Sequence, residues 1–277
     1  MQLYFYIFFI FIAASCNVKP ASVPEPPGYN LHRPQVINLP PDLDEISGLT
    51  YYEKDKSLFA ISDEKGVLFK ITPGTQLKIK QWKFSHKRDF EDLVLLDSVF
   101  YILQSNGIMH IVRFGSHDSI YTKEVNSPFA GKNEFETLYY DPRIKKLVGI
   151  CKNCEEEKKK DLFTFTFDPQ TEAYNDSMGR IPIKELVKSS AMQASHFKAS
   201  AAAINPLTGE LYVLSSVNKL LIIIDKTGTY KAEYPLDPGL FKQPEGICFS
   251  ATGTMIISNE VNRTGTATLL LFNYTKP

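Results

Sequence analysis

The chain has one tryptophan, four cysteines and five histidines in 277 residues. Each scarcity excludes something. After Cys16 only Cys151, Cys154 and Cys248 remain, and an odd number cannot form a disulfide framework by itself. Cys151 and Cys154 form a C-x-x-C, but no helical pattern follows it and no second pair completes a zinc site. A local disulfide or two free thiols are the readings favoured, with redox or metal chemistry left as the alternative. Cys248, between Ile247 and Phe249, reads as a small core residue. His32, His86, His110, His117 and His196 show neither H-x-H nor H-E-x-x-H spacing and are expected on the surface or in loops. Ser47, in ISGLT, lacks the G-x-S-x-G elbow of a hydrolase nucleophile. Charge of one sign is not in excess either: 31 Lys and Arg stand against 31 Asp and Glu. No basic run exceeds Lys158–Lys160, so no nucleic-acid footprint is present.

No apolar run is long enough to span a bilayer comfortably. The first fifteen residues, MQLYFYIFFIFIAAS, carry no charge, but as a helix they would cover only about 22 Å. Ala13, Ala14 and Ser15 precede Cys16, so the segment reads as an export signal. It resembles a bacterial lipoprotein signal, which implies lipidation at Cys16 and a place in the cell envelope, on the periplasmic or outer-membrane face. An ordinary signal peptide or an uncleaved anchor are the alternatives. Residues 17–30, NVKPASVPEPPGYN, hold four prolines and suit an extended tether. The expected organisation is a signal over 1–16, a tether over 17–30 and one domain over 31–277, present as a monomer.

What the sequence does have is a repeat. ISGLTYYEKDKSLFAISDE, FEDLVLLDSVFYILQSN, FETLYYDPRIKKLVGICKN, ASAAAINPLTGELYVLSSV and PEGICFSATGTMIISNE begin at 46, 90, 135, 199 and 244, at intervals of 44, 45, 64 and 45. Each is two apolar runs about a turn, a hairpin. Further alternating strands lie between, such as GVLFKIT and QLKIKQWKF. Four strands per repeat at this period predict an all-β, five-bladed β-propeller of four-stranded antiparallel blades. The long third interval predicts a short helical insertion over Ile183–Met192, beyond the charged EEEKKK turn at 155–160.

The second hairpin opens on two adjacent carboxylates, Glu91 and Asp92, residue types depleted in strands. Aligned, the entry position reads Ser47, Glu91, Glu136, Ser200 and Glu245, and the position two earlier reads Glu45, Asp89, Glu134, Lys198 and Gln243. Alternate strand positions share a side, so innermost strands would stack these as polar rings about the axis. Converging carboxylates raise one another's pKa unless a cation joins them. A hard divalent ion, most naturally calcium, would be held by Glu91, Glu136, Glu245, Glu45 and Asp89. Two other readings stay open: Lys198 neutralises part of the ring, or the glutamates cap backbone N–H groups and face a wet channel. The hairpin ends place Asp63, Glu64, Asn259 and Glu260 towards the same face, as a binding face or as turn residues.

With the S-G-L entry at Ser47–Leu49, the acidic entries and the S-D-E and S-N-E endings, the chain resembles the SdiA-regulated family of bacterial envelope proteins over residues 40–275. The resemblance implies a five-bladed propeller distantly similar to NHL repeats, with calcium in a shared site. The fourth blade departs from the family pattern, with SAAAI for a glycine-containing entry, as does the insertion after Cys151. Two functions follow as expectations. The first is a noncatalytic binding or scaffold module, tethered to the membrane by its lipid, for an envelope protein or small ligand. The alternative is a metal-dependent hydrolase of lactonase or phosphoesterase type. The last blade resembles gluconolactonase-type propellers, with Glu245 and Asn259 as implied ligands, but lacks their E-G-P-x-W opening.

Overall fold

The computed structural model describes residues 24–154, 161–183, 197–261 and 265–276. The signal, Cys16, the first part of the tether, the EEEKKK turn and all but the first residue of the expected helix lie outside them. β1 (Gln35–Asn38) precedes five sheets. Blade 1 is β2 (Ile46–Tyr52), β3 (Ser57–Ser62), β4 (Val67–Thr72) and β5 (Lys78–Lys83). Blade 2 is β6 (Phe90–Leu96), β7 (Val99–Gln104), β8 (Met109–Phe114) and β9 (Ile120–Val125). Blade 3 is β10 (Glu134–Asp141), β11 (Lys146–Asn153) and β12 (Asp161–Asp168), whose outer edge pairs with both β13 (Ala173–Tyr174) and β14 (Gly179–Pro182). Blade 4 is β15 (Ala201–Ile204), β16 (Leu211–Ser215), β17 (Leu220–Ile224) and β18 (Tyr230–Pro235). Blade 5 is β19 (Pro244–Phe249), β20 (Met255–Asn259) and β21 (Thr268–Phe272).

The fourth strand of blade 5 is β1, antiparallel to β21 with Gln35 opposite Leu271 and Asn38 opposite Thr268. This closure clasps the chain's start to its end and covers an edge that would otherwise be free to pair. The first strand of each blade is innermost, as expected: β2, β6, β10, β15 and β19 contact one another in turn around the axis. Five apolar clusters fill the spaces between neighbouring blades. Stability thus comes from blade-on-blade packing rather than from any single sheet.

In blades 1 and 5 the innermost strand approaches its neighbour so closely that the position after the entry residue has no room for a side chain. A Cβ at Gly48 would lie 2.6 Å from the Cα of Asp92, and one at Gly246 would lie 2.6 Å from the carbonyl oxygen of Ser47. Blade 4 has the small, buried Ala201 at this position, whereas blades 2 and 3 have Asp92 and Thr137 there.

Three expectations are corrected or completed. The tether does not run freely to residue 30. Tyr29 is buried, its hydroxyl donates to the Gly253 carbonyl at 2.7 Å, and it accepts from Asn205 Nδ2 at 3.0 Å. Gly28 accepts from the Thr275 N–H at 2.9 Å, so the domain's packing begins before residue 31. His110 is no surface residue: it is fully buried on β8, against Phe84 and Phe90 and within hydrogen-bond distance of Gln104, because β8 is covered on both faces. Cys151 and Cys154 form a disulfide at the end of β11, while Cys248 is a buried free thiol.

Candidate functional site

The entry residues owe their direction to a repeated irregularity. The ladder register shifts between Ile46 and Leu49, between Phe90 and Asp92, between Phe135 and Thr137, and between Pro244 and Gly246. Glu91, Glu136 and Glu245 are therefore bulged residues, and a bulge re-aims the side chain it carries. Here the carboxylates turn into the mouth of the central channel.

The same position in blades 1 and 4 has another duty. Ser47 Oγ donates to the Phe90 carbonyl at 2.9 Å, and Ser200 Oγ donates to the Pro244 carbonyl at 2.7 Å. Both hydroxyls staple one innermost strand to the next. The adjacent pair Glu91–Asp92 also divides. Glu91 enters the channel, whereas Asp92, 4 % exposed, accepts the Leu93 N–H and, across to blade 3, the Leu138 N–H, each at 2.8 Å. Burial drives the Asp92 carboxyl well up and the two N–H groups pull it back. Asp92→Asn sets an amide NH₂ against a backbone N–H and is expected to cost about 1–3 kcal/mol, read as a lower urea midpoint at unchanged slope.

The channel mouth is a well of about 250 Å³ lined by Ser47, Gln243, Lys152 and the carboxylates Asp63, Asp89, Glu91, Glu134, Glu136, Glu245 and Glu260. Lys152 is its single cation among the described residues. It pairs with Glu136 and lies 3.9 Å from Glu134, whose other oxygen accepts from Asn153. Gln243 Nε2 donates to Glu260 at 3.1 Å, and Glu260 shares a hydrogen bond with Glu45 at the rim. Ser216 bonds to Glu245. Asp63 Oδ1 is buried with no hydrogen-bond partner among the described residues.

The electrostatics follow from desolvation first and crowding second. Burial, then the charges of Glu136 and Asp89, push Glu91 up to about 10. Burial raises Glu136 to about 8 against the pull of Lys152. Glu260 rises to about 8 by burial and its bond to Glu45, and Asp63 to about 6 by burial and the nearby Glu45 charge. Glu245 is raised by burial. Burial would depress Lys152, but Glu136 outweighs it and the ammonium is held more tightly than usual.

Of the residues expected to hold a metal, Glu91, Glu136, Glu245 and Asp89 line this well and Glu45 reaches it through Glu260. Among the described residues, however, no three acidic, histidine or cysteine side chains are grouped so as to hold a metal ion. Lys152 takes the neutralising place considered for Lys198, whose own backbone N–H donates to Asn218 outside the well. Of the expected binding face, Asp63 and Glu260 line the well. Glu64 is exposed towards Lys87 at 3.8 Å. Asn259 is 1 % exposed, with Nδ2 donating to the Leu240 carbonyl at 3.1 Å and to Thr268 at 3.2 Å. Glu64 and Asn259 thus stand outside the well: Asp63 and Glu64 lie in the turn after β3, whereas Asn259 ends β20 and Glu260 follows it, so the aligned endings S-D-E and S-N-E do not present the same residue inward. Lys152, Glu134 and Gln243 were missing from the expected site. Glu134 and Gln243 were legible as the position two before the entry; Lys152 was legible only as a hairpin ending with no acid in it.

The comparisons agree with the architecture. No curated relative matches the chain by sequence. Among solved structures, the PQQ-bound aldose sugar dehydrogenase of Streptomyces coelicolor aligns with a TM-score of 0.56 at 11% identity, covering 91% of this chain and 100% of that one. A luciferin-regenerating enzyme aligns at 0.52 with 12% identity, covering 87% of this chain and 95% of that one. A streptogramin B lyase aligns at 0.52 with 10% identity, covering 87% and 98%. At such identities the likeness is one of fold, which hosts unrelated activities. The sequence pattern itself is more specific: the SdiA-regulated family matches residues 35–264, and the chain belongs to that family.

Proposed function

We propose that the protein is a noncatalytic propeller module, tethered to the bacterial envelope through Cys16, whose acidic well binds calcium and presents it to a small ligand or envelope protein. One observation carries the reading: among the described residues, seven carboxylates face one ammonium in a well of about 250 Å³. Their donor set is oxygen only, which suits a hard cation, and Asp63 Oδ1 has no partner in it among the described residues. Glu91, Glu136, Glu245 and Asp63 are the residues that would have to close on the ion, since no three of the described side chains are grouped for it beforehand. Bound there, calcium would neutralise buried charge and offer coordination positions to an oxygen-rich partner. The noncatalytic part of the reading is supported by side chains already engaged. The Ser47 hydroxyl is donated to Phe90, His110 is enclosed in blade 2, and no histidine among the described residues lines the well.

The test is thermal melting in EDTA and then in calcium, for the wild type and for Glu91→Gln with Glu136→Gln. Calcium at a hundredfold excess over its Kd is expected to stabilise the wild type by about 2.7 kcal/mol and to leave the double variant unmoved. Equal melting of the wild type in EDTA and in calcium overturns the proposal.

A further inference from the structure

Every innermost strand starts at the well and runs away from it, so the turns β2–β3, β6–β7, β10–β11, β15–β16 and β19–β20 form the opposite face. Three features collect there. The first is where the chain enters: Tyr29 bonds to Gly253 in the β19–β20 turn and to Asn205 beside the β15–β16 turn. From Cys16 to Pro24 the chain can reach at most about 29 Å, so an anchor at Cys16 lets this face reach the bilayer.

The second is a groove of about 470 Å³ between the far ends of blades 1 and 2. Its floor is aromatic: Trp82 meets Phe114 edge-on at 4.9 Å, and Phe59 meets Phe100 at 4.7 Å. Its wall carries Lys70, Lys78 and Lys80. Lys70 is paired with Asp55 and lies over the Tyr52 ring at 5.2 Å. Lys80 is 4.0 Å from Asp118 with both side chains exposed, and Lys78 is exposed with no carboxylate of the described residues in ion-pairing range. The third is apolar exposure: Ile144 and Leu207, on the β10–β11 and β15–β16 turns, are 51 % and 47 % exposed, and Tyr121, near the far end of β9, is 65 % exposed. Among the described residues, Val217 is exposed on the well side and Val36, on the outer strand β1, is 50 % exposed.

We propose that the face opposite the well docks on anionic phospholipid, with Lys78 and Lys80 taking the headgroup phosphate and the Trp82 groove receiving the glycerol and upper acyl carbons. Charge complementarity selects this occupant. The acidic well is repelled by an anionic leaflet, the lysine-rimmed groove is attracted to it, and aromatic rings with exposed Leu and Ile suit the interfacial region. The acidic well is then held away from the membrane, open to whatever it binds. The inference deepens the tethered reading above, but the docking surface is testable without Cys16.

The experiment uses a chain beginning at residue 17. All strands and all five interblade cores lie between Tyr29 and Tyr274, so the fold closes without the signal. Vesicles of phosphatidylcholine with and without phosphatidylglycerol are sedimented with the protein, and the emission of its one tryptophan, Trp82, is followed. The expected result is about a tenfold gain in binding with phosphatidylglycerol, a blue shift of Trp82, and loss of both in Lys78→Glu with Lys80→Glu, whose exposed positions leave the circular dichroism unchanged. No preference for phosphatidylglycerol overturns the proposal. So does binding that neither shifts Trp82 nor responds to the two charge reversals. The same Trp82 shift with inorganic phosphate alone would assign the groove to a free anion and overturn the membrane occupant. Failure of Cys16 lipidation, read separately by mass, would sink the tether and leave these results standing.

Discussion

Gly48→Ala is expected to destabilise the fold by about 2–3 kcal/mol, the range for overpacking a site that cannot yield. The added methyl would meet the Asp92 carboxyl and lie 2.6 Å from its Cα and 2.8 Å from the Leu93 nitrogen. These are backbone atoms of the next innermost strand, which Asp92 itself ties to blade 3. Relief therefore requires blades 1 and 2 to part, opening the apolar cluster of Phe59, Phe90 and Phe100 between them. Gly74→Ala is the control, since its nearest neighbour would be the Gln76 carbonyl at 3.3 Å in an exposed turn. That change is expected to stay within about 0.5 kcal/mol. Urea midpoints compare the two; equal midpoints would mean that the channel wall accommodates a methyl group and that the S-G-L entry has another cause.

In EDTA, raising the pH from about 5 to 8 is expected to lower stability. The carboxyls of Glu91, Glu136 and Glu260 have folded pKa values of about 10, 8 and 8, above the roughly 4.3 of an unfolded glutamate. Between those limits the folded chain binds more protons than the unfolded one, so stability falls with pH. Below about pH 4.3 both states are protonated and that contribution is fully present. The slope has an upper bound of about 1.4 kcal/mol per pH unit for each such carboxyl, reduced by coupling among neighbours. Calcium competes with these protons, so the calcium-bound protein is expected to lose much less stability over the same interval. Glu91→Gln removes the most perturbed carboxyl and is expected to raise the EDTA melting temperature at pH 8 while weakening the calcium response. Melting curves flat in pH, with and without EDTA, would show that the well does not store this charge.

The division of labour along FEDL shows what a sequence can carry. Glu91 and Asp92 are adjacent acids with nothing local to tell them apart. The period places Glu91 in register with Glu136 and Glu245, but the bulge that sends Glu91 to the axis and Asp92 to the Leu138 N–H is a property of the paired strands. Asn259 and Glu260 repeat the lesson: neighbours in S-N-E, one locked inside blade 5 and one facing the well.

By itself the sequence determined the blade count, the hairpins, the innermost strands and the acidic entry position. All of these are periodic, and a period is written in local hydrophobic alternation. Tertiary structure alone decided the rest. The closing of blade 5 by Gln35–Asn38 joins segments more than 200 residues apart, and no local signal marks such a partner. The neutralising role of Lys152 came from a position whose counterparts are acids or polar residues, visible only once seven carboxylates converge on it. The separation of an acidic face from a lysine-rimmed aromatic one depends on which end of each strand a residue occupies, which is settled when five strands share one axis and one direction.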